Sequence, residues 1–565
     1  MTGDDLRARL SAWLADDPDP RDRAELEMLA GEDTDEAAAE LADRFAGRLE
    51  FGTAGLRGMV GAGPNRMNRA VVRATTAALA GWMRGRGRGI AGAGAAEAGV
   101  VIGRDARHRS DEFADEAAQV LAGAGIRVHL LPRQQPTPLL AFAVRHLHAA
   151  AGIMITASHN PPAYNGYKLY LGDGAQIVPP ADAEIEAAIR ALGPLAQVPL
   201  APLDSPLIVT HGDEVAKAYL DQICAASPAP RAADWLRYTY TPLHGVAAGL
   251  AVRAFEQAGF SEPDLVTAQQ APDPNFPTVA FPNPEEPGAL DLALAQARRS
   301  GADLVLANDP DGDRLAVAVP DSDTASGWRM LTGDQVGALL GAYLLEHSPP
   351  GADRLVASTI VSSTLLPRIA AAAGAQYAET LTGFKWIVRA GEARPGSRFV
   401  FGYEEALGYA VGDTVRDKDG ISAALALLGL AARARSGGKS LLDVYDALET
   451  THGVHLTAQV TVATEVPVDI MSRLRAAPPT RFGDLPVATV NDLTGGTWNL
   501  PSADVLSFQM VGARVVIRPS GTEPKIKAYF EVVEPVFLGR LSEARQAAAA
   551  RLAPLRDAVQ AVLIS

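Results

Sequence analysis

A single cysteine among 565 residues, Cys224, leaves no partner for an intramolecular disulfide and no thiolate set for zinc. Basic residues are in deficit: 51 Lys and Arg stand against 66 Asp and Glu, a formal net charge of −15. That balance argues against nonspecific nucleic-acid binding, which draws its affinity from cationic surface. It also means that any phosphate site must be a local basic cluster inside an acidic protein. No uninterrupted apolar run reaches spanning length, and the opening MTGDDLRARLSAWLADD is acidic without the apolar stretch of a signal peptide. A cytoplasmic protein with neither membrane nor nucleic acid as partner is expected. Hydrophobic content of 48% and charged content of 21% are those of a globular chain with ample core material. The length suggests about three to five domains at roughly 100–200 residues each.

Leu6, Leu10, Trp13 and Leu14 share one face at helical spacing, and Asp17-Pro-Asp-Pro20 closes that helix. A second helical stretch is expected over Ala37–Leu49. From residue 100 onward, short apolar strands alternate with helices: strand from Val100, helix 111–124, strand 127–131, a helix after Pro136-Thr-Pro138, strand 151–155. That alternation indicates a mainly parallel sheet covered on both faces. It restarts after the proline-rich stretch near 194–206 and again near 325. From about 456 the pattern changes to short β segments followed by one long Ala/Arg/Leu helix over 538–563, which is α+β. The expected divisions are residues 1–205, 206–324, 325–455 and 456–565. The repetition among the first three is structural rather than literal. Each contains a short strand feeding a Gly- or Pro-containing polar loop, and in open α/β sheets ligands bind beyond the carboxyl ends of strands.

Four such loops carry chemistry. The first, Thr156-Ala-Ser-His-Asn-Pro-Pro-Ala-Tyr-Asn-Gly-Tyr-Lys168, follows the strand Ala151-Gly-Ile-Met-Ile155. Asn160-Pro-Pro162 must turn, and Asn165-Gly166 is a second turn signal. Ser158 is thereby set on a sharp loop with His159 and Lys168 close in sequence. On these residues alone, a solvent-facing serine in an ordinary turn is an equal alternative. The second loop, Asn308-Asp-Pro-Asp-Gly-Asp-Arg314, sets Asp309, Asp311 and Asp313 at alternate positions after a strand. Three carboxylates so close repel unless a cation sits among them, and hard oxygen donors suit Mg²⁺. An EF-hand does not fit, since Arg314 and Pro320 stand where Gly and Glu are needed. A solvated acidic turn and a haloacid-dehalogenase aspartyl site remain open alternatives. The third loop, Gly402-Tyr-Glu-Glu-Ala-Leu-Gly408, pairs Glu404 and Glu405, which can accept from adjacent sugar hydroxyls, although on these residues alone an ordinary charged loop is the favoured alternative. The fourth, Arg518-Pro-Ser-Gly-Thr-Glu-Pro-Lys525, offers Arg518, Ser520, Gly521 and Thr522 as a phosphate cradle, with an ordinary turn as the alternative. Earlier glycines, in Phe51-Gly-Thr-Ala-Gly-Leu-Arg-Gly58, surround Arg57, a candidate anion contact. Arg104 and Arg107 lie in the polar turn after Val100. Ser436-Gly-Gly-Lys-Ser440 resembles the end of a Walker A loop, but Arg433 occupies the first glycine position and a helix precedes it. It reads as a helix C-terminus.

These four loops, in this order from about residue 50 to the C-terminus, closely resemble the signature loops of the α-D-phosphohexomutases, the phosphoglucomutase/phosphomannomutase family. Phe51–Gly58, Gly383-Phe-Lys-Trp-Ile387 and Arg416-Asp-Lys-Asp-Gly420 are similar to its long bacterial, phosphoglucomutase-2-like branch. The resemblance implies an α/β fold of four domains around a central cleft: three related α/β domains with mixed, mainly parallel sheets, and a smaller C-terminal α+β domain. It implies that Ser158 carries a phosphoryl group and that Mg²⁺ is held by Asp309, Asp311, Asp313 and a phosphoserine oxygen. Arg57, Arg107, His159, Lys168, Arg314, Lys385, Arg416 and Lys418 would line the cleft, with Gly383, Glu404 and Glu405 on the sugar and Arg104 and Arg107 in the phosphate environment. Lys168 or His159 would be the general base. Arg518, Ser520, Gly521 and Thr522 would hold the phosphate that does not react. The family loop usually has Ser after the Glu pair, where this chain has Ala406.

The implied reaction is reversible transfer between the carbon 1 and carbon 6 phosphates of glucose, through phosphoserine and a hexose 1,6-bisphosphate that is both intermediate and activator. Mannose and pentose phosphates are alternative substrates. The expected partner is a small phosphosugar, and the expected state is a monomer or weak dimer. A metal-dependent phosphatase, a haloacid-dehalogenase mutase using Asp309, and a noncatalytic sugar-phosphate sensor are the competing functions.

Overall fold

The computed structural model describes residues 3–50, 55–85, 94–228, 233–464, 467–497, 500–520 and 525–564. Two compact units emerge: one comprises residues 1–227, 231–320 and 414–425, the other residues 228–230, 321–413 and 426–565.

The first unit holds a mixed sheet whose strands run in the order Leu56–Met59, Tyr164–Leu171, Ala151–Ile155, Val100–Arg104, Val128–Leu130, Ile208–Thr210. The first two junctions are antiparallel and the other three parallel. Ala151–Ile155 is buried along its whole length, as expected of a central strand covered by helices on both faces. Arg69–Gly85 and Ser110–Gly123 pack their alanines, Val71, Val72, Leu79, Phe113 and Leu121 against the sheet's Val100, Ile102, Ile153 and Ile155. A second sheet of the same unit contains Leu315–Pro320, Leu304–Asn308, Tyr238–Thr241 and Asp264–Leu265, antiparallel at the first junction and parallel at the next two. The segment 414–425 belongs here too. Gly420 makes that placement possible: a Cβ there would lie 2.2 Å from the Arg314 carbonyl oxygen and 2.4 Å from Asn308 Nδ2.

In the second unit, Gln376–Thr380, Arg354–Thr359, Arg398–Glu404 and Gly408–Val411 form one sheet, with two parallel junctions and an antiparallel hairpin. An antiparallel sheet follows, ordered Val454–Ala463, Lys525–Glu534, Ala513–Pro519, Leu506–Met510, Thr489–Asp492, and the long helix Leu541–Ile564 packs on it. The α+β reading of the last stretch therefore holds. No helix among the described residues is long and apolar enough to cross a membrane.

Several local expectations are corrected. Asn165-Gly166 is not a turn but lies inside the strand Tyr164–Leu171. Gly166 is there because three strands crowd it: a Cβ would sit 2.6 Å from the Thr156 carbonyl oxygen and 2.7 Å from that of Leu56. The Glu pair does not sit on an open loop, since Arg398–Glu404 runs through Glu404 and a tight turn follows. The helix expected to run to Leu49 ends at Arg44, and a helix at Pro20–Gly31, entered through an Asp19 cap, has no counterpart in the sequence pattern. Ala95–Ala98 and, after Gly383, Phe384–Ile387 are short helices. A helix, Pro467–Ala476, interrupts the β segments of the last stretch. Ile208–Thr210, placed by pattern after the restart near 206, pairs in parallel with Val128–Leu130 of the first sheet.

Candidate active site

The strand Ala151–Ile155 delivers the chain into Thr156-Ala-Ser158, and Ser158 takes a left-handed φ of 52°. A non-glycine residue there is strained, so the surroundings must hold it. Two contacts do: the Ser158 amide donates to Thr156 Oγ1 at 2.9 Å, and the Arg107 guanidinium donates to the Ser158 carbonyl at 2.8 Å. Arg107 also donates to the carbonyls of Pro161 and Tyr164 at 2.8 and 3.0 Å and to that of Asn160. Asp105 accepts from the Arg107 amide at 2.9 Å and from the Ser110 hydroxyl at 2.7 Å. Arg57, on the edge strand, donates to Asn160 Oδ1 at 2.7 Å.

The Ser158 hydroxyl is buried and donates to Asp309 Oδ2 at 2.8 Å, with His159 Nδ1 3.2 Å from the Ser158 oxygen. The serine loop and the aspartate loop, separate motifs in the sequence, thus meet at one atom. Asp309, Asp311 and Asp313 are all buried and offer carboxylate oxygens within 4.8 Å of one another. Burial, then repulsion from Asp311 and Asp313, pushes the Asp309 carboxyl well above its usual range. Lys168 reverses that for the other two by donating to Asp311 Oδ2 at 2.8 Å and Asp313 Oδ2 at 2.9 Å. Burial opposes ionisation of both, yet Lys168, joined at Asp313 by Lys418, holds them below the ordinary value. Lys168 is itself a buried cation: burial alone would lower its pKa, but the two carboxylates raise it. Burial, followed by the charges of Arg314 and Arg57, keeps His159 well below the usual imidazole value, hence neutral.

The fit of a metal can be tested on the carboxylate oxygens. Asp311 Oδ1 and Asp313 Oδ1 are buried without a hydrogen-bond partner, while their Oδ2 atoms are used by Lys168. Buried anionic oxygens left unpaired are costly. Two of them in a cluster of hard donors suit Mg²⁺. Thr137, whose hydroxyl donates to Asp311 Oδ2 at 2.7 Å, and Thr156 at 3.4 Å, escape the sequence reading, as does Ser110 at the start of the helix Ser110–Gly123. Their only sequence signal is position, each in a segment just beyond a strand end.

Lys418 Nζ lies 3.3 Å from Asp313 Oδ2, so the Arg416–Gly420 stretch joins the aspartates within the first unit. Arg416 reaches Asp173 at 3.3 Å, and Asp417 accepts from Tyr170 and Gln176, each at 2.7 Å. The Arg314 amide donates to Asp309 Oδ1 at 3.0 Å, and its guanidinium lies 3.5 Å from Glu285. Arg104 ends its strand, and its charge acts on Asp115 of the following helix.

In the second unit, Glu404 ends a strand and Glu405 enters the turn. Glu405 accepts from Ser362 at 3.1 Å and Thr359 at 3.3 Å. Burial, then the Glu404 charge, pushes the Glu405 carboxyl up to about 7. Arg518, at the end of the strand Ala513–Pro519, has a buried Nε without a hydrogen-bond partner, and its guanidinium carbon is 6.0 Å from the centre of the Tyr529 ring. The Ser520 amide donates to the Lys525 carbonyl at 2.8 Å. Lys385 lies over Trp386 at 5.9 Å, after Gly383 with its φ of 109°. Gly521 and Thr522 lie outside the described residues, as do residues 51–54 of the glycine-rich stretch before Arg57.

Residues 48–194, 217–322 and 332–451 match the family models of phosphoglucomutase/phosphomannomutase alpha/beta/alpha domains I, II and III, and residues 471–546 match that of the C-terminal domain. A probable phosphomannomutase of Haemophilus influenzae is 42% identical over 82% of this chain and 93% of its own length. A probable phosphoribomutase of Schizosaccharomyces pombe is 36% identical over 93% of each chain. A phosphoglucomutase of Staphylococcus aureus is 34% identical over 89% of this chain and 93% of its own. Among solved structures, a putative phosphomannomutase from Thermus thermophilus superposes with a TM-score of 0.64 at 27% identity, covering 90% of this chain and 99% of its own.

Proposed function

Since this chain belongs to the phosphoglucomutase/phosphomannomutase family and is a phosphosugar mutase, an isomerase, we propose that it interconverts glucose 1-phosphate and glucose 6-phosphate through a phosphorylated Ser158. The observation that carries the reading is the meeting of the Ser158 hydroxyl with Asp309, beside two buried carboxylate oxygens that lack partners. Phosphoserine 158 donates its phosphoryl group to the free sugar hydroxyl: the Ser158 O–P bond breaks as the sugar O–P bond forms. The hydroxyl proton passes to a base. His159, neutral and beside the Ser158 oxygen, suits that role better than Lys168, which the aspartates hold as a cation. The resulting hexose 1,6-bisphosphate reverses its orientation and returns its other phosphoryl group to Ser158. Held by Asp309, Asp311, Asp313 and a phosphoserine oxygen, Mg²⁺ would offset the negative charge that spreads over the transferring group. Arg57, Arg107, Arg314 and Lys418 add fixed positive charge in the same unit. The protein acts on a small phosphosugar, as a monomer or weak dimer.

Arg518, with Ser520, Gly521 and Thr522, is assigned the phosphate that does not react. Its buried, unpaired Nε is a donor awaiting an acceptor. Arg518→Ala should weaken binding of both phosphosugar isomers, since each presents its phosphate there in turn. A charge-assisted contact of this kind is worth about 1.5–3 kcal/mol, or about ten- to a hundredfold in affinity. Calorimetric titration of each isomer checks this, and a loss confined to one isomer would mean that the sugar does not turn over in the site.

Glu404 and Glu405 are assigned the sugar, and the same role is proposed for Gly383, Lys385 and Arg416. Adjacent carboxylates suit adjacent hydroxyls, those at carbons 3 and 4, which glucose and mannose share. Galactose inverts carbon 4 and should lose about 1–3 kcal/mol for an unpaired group. The expected order of kcat/KM is glucose 1-phosphate first, mannose 1-phosphate comparable or lower, galactose 1-phosphate poor. Galactose matching glucose would remove the assigned role of the Glu pair. A second reading, a phosphopentomutase, has its own support: the relative named probable phosphoribomutase matches across 93% of this chain, and Glu405 is partly engaged by Ser362 and Thr359. The same panel with ribose 1-phosphate and deoxyribose 1-phosphate decides, a tenfold preference being about 1.4 kcal/mol.

A further inference from the structure

The helices Gly3–Asp16, Pro20–Gly31 and Asp35–Arg44 precede the matched family regions, which begin at residue 48. They are firmly joined to the first unit. Leu10, Leu26, Leu41 and Phe45 form a small core with Ala62. Arg66 pairs with Glu40 and Asp43, and Arg44 with Glu25 and Glu40. The contact that matters most for the site falls on Arg109. Its three guanidinium nitrogens are all committed: Nη1 donates to Asp22 Oδ1 at 2.7 Å, Nη2 to Asp19 Oδ2 at 2.5 Å, and Nε to Glu112 Oε2 at 3.0 Å. The side chains of Asp19 and Asp22 are 1% and 3% exposed and that of Arg109 16%, so this clamp is shielded from the solvent screening that weakens surface ion pairs.

Arg109 stands at the end of the turn 105–109, just before the helix Ser110–Gly123, at a left-handed φ of 62°. Two residues earlier in the same turn is Arg107, which grips the carbonyls of Ser158, Asn160, Pro161 and Tyr164. On the far side, Asn165 Nδ2 donates to the His108 carbonyl at 3.0 Å and to the Ser110 hydroxyl at 2.9 Å. The turn is therefore held from two sides, by carboxylates of the N-terminal helices through Arg109, and by the serine loop and the strand after it through Arg107 and Asn165. The Ser158 backbone is strained and needs such support.

We infer that the N-terminal helices act as a buttress for the Ser158 loop, with Asp19, Asp22 and Arg109 as positioning residues: the carboxylates fix Arg109, Arg109 fixes the turn, and the turn sets Arg107 on the carbonyls that orient Ser158. The inference rests on Ser158 as the phosphoryl carrier. Small displacements far from a reacting centre can cost as much as a hundredfold in rate, because transfer demands close alignment. The test uses the full chain, phosphorylated with glucose 1,6-bisphosphate, and follows loss of the Ser158 phosphate to glucose 1-phosphate in a single turnover. In the Asp19→Asn/Asp22→Asn double variant the transfer rate should fall about ten- to a hundredfold, with the affinity for glucose 1-phosphate and the circular dichroism unchanged. Arg109→Lys, which keeps charge but not the fork, should lie between the double variant and the parent. If the double variant does not fold, Arg109→Lys decides: a lowered transfer rate with unchanged affinity supports the buttress, and a parental rate overturns it. A parental rate in a folded double variant overturns it as well, provided that Ser158→Ala is inactive. An active Ser158→Ala would instead remove the premise, so the two failures are distinguishable.

Discussion

Ser158→Ala should lose mutase turnover by several orders of magnitude, because the variant has no atom to carry the phosphoryl group between the two positions of the sugar. Peptide mass spectrometry of the parent protein should find phosphate on the Ser158 peptide. The variant also tests the local structure. Loss of the hydroxyl leaves Asp309 Oδ2 without its donor at 2.8 Å, and the alanine methyl group keeps a side chain at a φ of 52°. Ser158→Gly relieves that strain, since glycine occupies positive φ without a Cβ clash. It should therefore unfold at a temperature no lower than Ser158→Ala while being equally inactive. Inactivity in both, with at least equal stability in the glycine variant, ties the loss to the missing hydroxyl rather than to a disturbed loop. Near-parental turnover in Ser158→Ala would end the reading. An active Ser158→Ala beside an inactive Asp309→Asn would point to aspartyl chemistry of the dehalogenase type. A noncatalytic sensor predicts no turnover in the parent protein and no phosphate on Ser158.

The residues legible in the sequence are those whose position follows from a strand ending in a loop that cannot continue it. Ser158 and the three aspartates are of this kind, because Asn160-Pro-Pro162 and the Asp-Pro-Asp-Gly-Asp run dictate local geometry whatever the rest of the chain does. Lys418 is expected in the site but falls, by pattern, in a third division of the chain. Its approach to Asp313 depends on Gly420 fitting against the Arg314 carbonyl, a contact between segments about a hundred residues apart that no local pattern reports. Asn165-Gly166 misleads for the opposite reason. The pair is a strong turn signal by composition, yet glycine is there to let three strands approach, and the asparagine amide ties the strand to the turn 105–109 and to Ser110. Arg107 is expected near phosphate. Its four bonds to backbone carbonyls give it in addition the work of holding the serine loop. The N-terminal helices are partly legible, but their purpose is hidden, because it lies in Asp19 and Asp22 meeting an arginine about ninety residues away.

Chelation should abolish activity, and Mg²⁺ should restore it. The reason lies in the balance of buried charge. Three buried aspartates face two buried lysines, and Lys168 engages Asp311 and Asp313 through their Oδ2 atoms only. Asp311 Oδ1 and Asp313 Oδ1 are left unpaired, and Asp309 is pushed well above its usual range by burial and then by its two neighbours. A divalent cation at these oxygens would satisfy both unpaired atoms and offset the repulsion among the three carboxylates. The site should therefore bind metal before any sugar arrives, which gives a readout independent of turnover. Mg²⁺ binding to the folded protein alone should raise its unfolding temperature, with about 2.7 kcal/mol of stabilisation at a hundred times the dissociation constant. Asp311→Asn and Asp313→Asn should each lose most of that shift along with activity, because each removes one anionic ligand. Ca²⁺, larger and content with irregular coordination, should give a thermal shift without comparable turnover. Full activity after exhaustive chelation would refute metal dependence. A thermal shift unchanged in both aspartate variants would place the cation elsewhere in the protein.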